Sequence, residues 1–355
     1  MNRAGGPKKP KTGGGPATLH DVATAAGVSI KTVSRVVNGE AHVAKTTFDR
    51  VQRSIRQLGY VPNDAAKRLA SRRSNVLGIV FDNKSWNWIN DFQRGALDAA
   101  RVRGYEILMH PCVPGDKSDL DRIRRLLTRG SLDGVLLTPP CSDVRGLITR
   151  LAASGLPVVR ISPSVRRGEN ASVSTSDFEG ARAMTAHLLG LGHRRIAFVE
   201  GDASQRSSAD RLSGFAAALR DGGQRVDRSL VIGGDFSFES GRHAGRRLLA
   251  AAAPPTAVFA SNDDMAAGVL AAARESGIRV PEDLSIGGFD DVDLARQVYP
   301  PLTTVRQPTA EMAARAVDLL IDRIEEIATS PGETHLMLPT ELIVRASTAP
   351  PPKTR

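Results

Sequence analysis

The chain is poor in the features that mark several protein classes. It has two cysteines in 355 residues, Cys112 and Cys141, too few for a disulfide scaffold. No histidine or carboxylate stands near either at a metal-ligand spacing, so two ordinary thiols and no metal are expected. No apolar run approaches the roughly 20 residues that a membrane-spanning helix needs, so no membrane partner is expected. The opening stretch MNRAGGPKKPKTGGGPA is basic but has no apolar segment behind it, unlike a secretory signal. A cytoplasmic protein is expected. Enzyme signatures are missing too: there is no G-x-S-x-G, no H-E-x-x-H and no Walker loop. DDVD at 290–293 lacks the glycine and glutamate that would complete a calcium loop. The expectation is no enzyme and no cofactor.

What the chain does have is positive charge, unevenly placed. The net formal charge is +10. Residues 1–75 hold 14 Lys or Arg against 4 Asp or Glu, and the other 280 residues are balanced at 34 of each sign. One fifth of the chain therefore holds the entire excess, a field suited to a polyanion. The length of 355 residues implies two or three folding units.

Residues 1–17 are rich in Gly, Pro and Lys without periodicity and are expected to form a disordered basic arm. From Thr18 the pattern becomes helical. Thr18 is an N-cap with Asp21 as its acidic partner, and Leu19, Val22 and Ala23 supply an apolar face. Gly27 suits a tight turn, and Ser29 caps a second helix that ends at Asn38-Gly39. A third helix is expected at about 45–58, with Val51, Ile55 and Leu58 inward. On the second helix Val33, Val36 and Val37 face the core, while Ile30, Lys31, Ser34, Arg35 and Asn38 share the opposite face. Two short helices joined by a glycine turn form the helix-turn-helix layout. Arg35, Lys31 and Ile30 would meet base edges in the major groove, and Thr18, Ser29, Thr32, Ser34, Asn38 and Thr47 would hold phosphates. A three-helix protein-interaction module fits the same pattern; the localised charge favours DNA. Residues 63–71, NDAAKRLAS, read equally as a marginal helix or a charged linker.

After Val76 short β-branched runs alternate with helical stretches: VLGIVF, YEILMH, DGVLLT and VVRIS, then RIAFVEG, SLVIGG, AVFAS and LSIGGFD. Helices are expected near 91–103, 118–129 and 143–154. Such alternation implies parallel sheets covered by helices, here two doubly wound subdomains of about four strands each, with a cleft between. Ligands in such sheets bind beyond the carboxyl ends of the strands. That rule selects Asp82, Asn83, Arg211, Phe236, Asn262 and Asp290, a set suited to a sugar or similar polar molecule. Trp86 and Trp88, placed in the loop after the first strand, are equally ligand covers or packing contacts. Asp263 is expected to cap a helix.

TLHDVATAAGVSIKTVSRVVNG, followed by LGYVPNDAAKRLASRRSNVLGIV, resembles the DNA-binding head of the lactose-repressor (LacI-type) family. ASNDDMAAGVL, SGIRVPEDLSIGGFDD and PPLTTVRQP extend the resemblance over about residues 18–348. It implies an N-terminal all-α helix-turn-helix head plus hinge helix, then an α/β core like that of periplasmic binding proteins. It implies that Ile30, Lys31 and Arg35 read bases and that 63–75 is a hinge. There Leu69 would wedge into the minor groove, with Lys67 and Arg68 beside it. It implies effector contacts at Arg211, Asn262 and Asp290, near Asp82 and Phe236. Three positions depart from the family: Ala44 replaces a phosphate-contacting serine, Phe48 a polar or basic residue, and Ser162 an aspartate.

The resulting expectation is a transcription regulator, a repressor, working as a homodimer on a pseudo-palindromic double-stranded operator under a small-molecule effector. Expected boundaries are 18–62 for the head, 63–75 for the hinge and 76–348 for the core. Within the core, about 76–175 and 307–334 form one subdomain, and 176–306 and 335–348 the other. Residues 349–355 are expected to be a disordered tail without heptads for a coiled coil. The rival reading is a solute-binding protein using the same cleft, which would have no basic head.

Overall fold

Capping chemistry and a two-faced apolar pattern set the elements of this chain, which is described from a computed structural model covering residues 17–37, 43–60, 73–113, 118, 122–123, 125, 131–165, 170–327 and 334–352. The chain divides into two compact units, Met1–Arg73 and Ser74–Arg355. Asn38, Lys67, Arg68 and Leu69, the arm, and most of the expected helix at 118–129 lie outside the described residues.

In the first unit, α1 (Leu19–Ala26) begins with a reciprocal capping box. The Asp21 N–H donates to the Thr18 hydroxyl, and the Thr18 N–H donates to the Asp21 carboxylate. The helix stops at Gly27, which is left-handed at φ 62°. Helix α2 (Ile30–Val37) starts at Ser29, whose hydroxyl accepts from the Thr32 N–H. Helix α3 (Lys45–Leu58) closes the unit. Val22, Ala23, Ala26, Val33, Val36, Val51 and Tyr60 form one apolar core. Leu58, expected inward, is instead 40% exposed. The helix ends there, and the chain turns at Gly59 to send Tyr60 inside in its place.

The second unit holds two parallel sheets. Strands β1 (Val76–Phe81), β2 (Glu106–Pro111), β3 (Gly134–Leu137), β4 (Val158–Ile161) and β5 (Ala171–Thr175) join β11 (His335–Leu338) in the order β11-β5-β4-β3-β1-β2. Along β1 the side chains alternate between two cores, as a pleated strand must. Leu77, Ile79 and Phe81 meet α4 (Trp86–Val102) and α11 (Thr309–Ile324). Val80 faces Leu147 and Leu151 of α5 (Arg145–Ala153). The second sheet contains β6 (Ile196–Val199), β7 (Val231–Ile232), β8 (Ala257–Ala260) and β9 (Ser285–Gly287) in the order β7-β6-β8-β9. One face packs on α8 (Phe238–Leu249) and α9 (Asp263–Glu275). The other packs on α6 (Asp177–Gly190) and α7 (Arg206–Asp221). Helix α10 (Asp293–Gln297) follows β9, and β10 (Thr304–Arg306) pairs antiparallel with β12 (Glu341–Ile343).

Several expectations change. Segment 335–338 does not belong with the second subdomain: β11 pairs with β5 and extends the first sheet to six strands. The chain therefore passes between subdomains after β5, after β10 and after β11. The tail from 349 is also ordered as far as Pro352. The Ala349 carbonyl accepts from buried His193 Nε2 at 2.9 Å, and its N–H donates to Ser285. The expectation there is disorder, but a buried histidine supplies a partner. Finally, Trp86 and Trp88 open α4 rather than sitting in a loop, because Ser85 caps that helix by accepting from the Trp88 N–H.

Candidate functional site

Burial of the valines of α2 dictates what its other face shows. Val33 and Val36 are in the core, so Lys31 and Arg35 are exposed and Ile30 is 48% exposed. A single exposed apolar residue is ordinary; it is the two cations beside Ile30, in the fifth of the chain that holds the charge excess, that suit a surface meeting a polyanion. Ser34 and Thr32 are half-buried on the flanks, with the Thr32 hydroxyl hydrogen-bonded to that of Ser29 at 2.9 Å. Thr47 is half-buried on α3, Thr18 is exposed at the start of α1, and Ala44 is the N-cap of α3 with no side-chain bond. Phe48 is 39% exposed and so adds apolar surface rather than core.

In the second unit the strand ends converge. A pocket is lined by Asn83, Ser85, Trp88, Pro139, Ser162, Gln205, Ser207, Arg211, Phe236, Asn262, Asp290 and Gln307. These residues follow the carboxyl ends of strands from both sheets, or begin the helices there, so the pocket lies between the two subdomains. Three of its walls have non-glycine residues at positive φ: Ser162 at 41°, Phe236 at 66° and Asp290 at 109°. Such conformations cost about 1–3 kcal/mol each and need surroundings that hold them. Backbone bonds do so here. The Ser162 N–H donates to the Val173 carbonyl and the Asp290 N–H to the Val305 carbonyl, both at 2.8 Å. The Phe236 ring covers Gly201, where a Cβ would lie 2.1 Å from it, so no side chain fits at 201.

Arg211 is the electrostatic centre of the site. It is 4% exposed, donates from Nε to Asp177 at 2.8 Å and from Nη1 to the Ser261 carbonyl, and stacks 3.7 Å over the Phe289 ring. Its Nη2 stands 3.5 Å from Asp290 Oδ1. That oxygen is buried and has no hydrogen-bond partner among the described residues. Burial pushes the Asp290 carboxyl up to about 7 against the lowering effect of Arg211, with Asp264, Asp177 and Asp91 adding to the rise.

The pocket mouth is bridged. Lys84 pairs with Asp235 at 2.6 Å, and Ser85 and Asn87 donate to the two oxygens of Asp264. These bonds tie the turn after β1 to the start of α8 and α9 in the other subdomain. Burial raises the Asp264 carboxyl, while its bonds to Ser85 and Asn87 oppose the rise. Burial also acts to raise Asp235, but Lys84 and Ser237 outweigh it and hold that carboxyl well below the usual range.

Of the six residues selected from sequence, Asn83, Arg211, Phe236, Asn262 and Asp290 line this pocket, whereas Asp82 does not. Asn262 caps α9, accepting from the Met265 N–H, and donates to the Phe236 carbonyl at 2.9 Å. Asp263 is not the cap: it is fully buried and accepts from Thr304 at 2.6 Å and from the Val292 N–H. Of the tryptophans, Trp88 is a wall, its Nε1 donating to Gln307 Oε1 at 2.6 Å, while Trp86 is 69% exposed. Ser85, Pro139, Gln205, Ser207 and Gln307 were missed. Their strand-end positions were the available signal, but small polar residues there look like ordinary loop residues. No helix among the described residues is long and apolar enough to cross a membrane.

Residues 18–63 match the family described as bacterial regulatory proteins, lacI family, and residues 185–348 match the periplasmic binding protein-like domain. The chain is 37% identical over 337 residues to the HTH-type transcriptional regulator CelR of Thermobifida fusca, covering 93% of this chain and 98% of that protein. It resembles the solved transcriptional regulator CelR–cellobiose complex with 35% identity and a TM-score of 0.72, covering 93% of this chain and 99% of that one. It resembles the lac repressor dimer bound to operator and the anti-inducer ONPF with 30% identity and a TM-score of 0.80, covering 94% and 100%.

Proposed function

The chain belongs to the LacI family of bacterial regulatory proteins, and we propose that it is a dimeric repressor whose two heads grip the halves of a pseudo-palindromic operator while a sugar in the pocket sets their affinity. It is a DNA-binding transcription regulator, and its relatives are transcription regulators rather than enzymes. The observation that carries the proposal is the coincidence of the whole charge excess with the exposed Ile30-Lys31-Arg35 face of α2.

On this reading Arg35 makes a two-pronged contact to guanine, and Lys31 and Ile30 meet neighbouring base edges. Thr18, Ser29, Thr32, Ser34, Asn38 and Thr47 hold phosphates that set the register. Lys67, Arg68 and Leu69 enter the minor groove from the hinge. In the pocket the effector meets Asn83, Arg211, Phe236, Asn262 and Asp290. The sugar assignment is supported by the cellobiose held by a CelR complex of the same family. Binding acts by differential contact with open and closed clefts; a coupling of about 1–3 kcal/mol changes operator affinity 5- to 150-fold. The protein works in the cytoplasm, without catalysis or cofactor. The homodimer is supported by the lac repressor dimer.

Genomic binding followed by gel shift tests the reading. The wild type selects a defined sequence, and Arg35→Ala loses about 1–3 kcal/mol of discrimination, 5- to 150-fold, at the base it reads. A wild type with no sequence preference over Arg35→Ala would sink it. Removal of residues 1–75 abolishes DNA binding and leaves effector binding in place.

A further inference from the structure

Taking the effector pocket as read above, we infer that it accepts an uncharged, hydroxyl-rich ligand and rejects the phosphorylated or carboxylated forms of the same molecule. The inference rests on a balance of charge and of hydrogen-bonding capacity within the pocket.

Arg211 is the cation in the wall, and its charge is already matched by two buried carboxyl groups. Nε bonds Asp177, Nη1 bonds the Ser261 carbonyl, the guanidinium lies on Phe289, and Nη2 faces Asp290. Two carboxyl groups thus stand against one cation, all three side chains no more than 5% exposed, and negative charge is in excess once Asp290 is ionised, above about pH 7. The nearby cations are also paired: Lys84 at the mouth with Asp235 at 2.6 Å, and Arg206 at the start of α7 with Asp210 at 2.7 Å. Asp264 adds a further carboxylate beside the mouth, bonded by neutral Ser85 and Asn87. Among the described pocket residues no cation is left over for an incoming anion.

The hydrogen-bonding groups point the same way. Asp290 Oδ1 is a buried acceptor without a hydrogen-bond donor among the described residues. A buried, unmatched acceptor costs free energy until a donor arrives, and a sugar hydroxyl is such a donor. Ser162 and Ser207 add hydroxyls that give or take, and Gln205 adds an amide with both. A phosphate or carboxylate brings only acceptors and charge of the wrong sign. The N-terminus of α7, which supplies Ser207, offers about half a positive charge, less than the carboxylate excess it would have to offset.

Calorimetric titration of the full-length protein at pH 8, where Asp290 is ionised, with matched pairs tests this: glucose and glucose 6-phosphate, ribose and ribose 5-phosphate, cellobiose and cellobionate. At least one neutral sugar is expected to bind, with its anionic partner at least 100-fold weaker. An anion binding as tightly as its neutral partner overturns the charge selection and leaves the sugar-effector reading standing. Failure of every compound, neutral and anionic, defeats that reading and this inference together. Asp290→Asn keeps the shape and removes one carboxylate, so the gap between partners should narrow at least tenfold; an unchanged gap overturns the role given to Asp290. The wild-type pairs decide the matter even where the variant does not fold.

Discussion

Replacing Arg211 with methionine tests the description of the pocket centre. Methionine keeps much of the apolar volume over Phe289 but removes the charge. Asp177, 2% exposed, and Asp290, 6% exposed, are then left as buried carboxylates without a counter-charge. Removing one partner of a buried ion pair costs about 3–5 kcal/mol, and at 2–4 °C per kcal/mol for a unit of this size the melting temperature should fall by roughly 10 °C. The cost depends on pH. In the wild type Asp290 ionises near 7 when folded and near 3.9 when unfolded. The stability supplied by its protonated form is therefore complete below about pH 4 and lost as pH rises through 7. Without Arg211 the ionised form loses its compensation, so the variant's deficit should be larger at pH 8 than at pH 5. Thermal and urea unfolding at fixed protein concentration, followed by tryptophan fluorescence, measures it, since both tryptophans lie in α4 of the first subdomain. A deficit below about 1 kcal/mol at pH 8, or one that ignores pH, would refute the charge arrangement described.

Three further outcomes follow from the structure. Because Asp290 changes charge near 7, an effector that donates to its carboxylate should bind roughly ten-fold more tightly at pH 8 than at pH 6, and calorimetry showing the opposite slope would count against that contact. Gly268→Ala should destabilise the second subdomain by about 1–3 kcal/mol or more despite alanine's better helix propensity. The new Cβ would lie 2.1 Å from the Phe238 carbonyl oxygen, where α8 and α9 meet backbone to backbone. Gly27→Ala meets nothing within 4 Å, so its cost comes only from the left-handed backbone at φ 62°. It should be about 1–2 kcal/mol, read as lost helicity of the isolated first unit on heating.

Much of this protein was legible in its sequence because local chemistry decides it. The capping pair Thr18 and Asp21, the turn glycine Gly27 and the valine spacing of α2 need only neighbours three or four residues away, and they fix which face shows Ile30, Lys31 and Arg35. Charge placement is a property of the chain alone. The strand-end rule found five of the pocket residues, since parallel strands send their ends to one side wherever they sit in order. What depended on distant segments was not legible. Asp263 looks like a cap, but Thr304 lies 41 residues on and takes it into the core. Strand β11 carries no mark of the sheet it joins, because its pairing with β5 is set across more than 150 residues. Tail residue Ala349 is held by His193 and Ser285, both far back in the chain. Sequence by itself determined that this chain has a basic three-helix head and an α/β core. Tertiary structure alone decided that Arg211 meets two carboxylates and that Asp290 keeps an unmatched oxygen, because both depend on side chains brought together from α6, α7 and the end of β9.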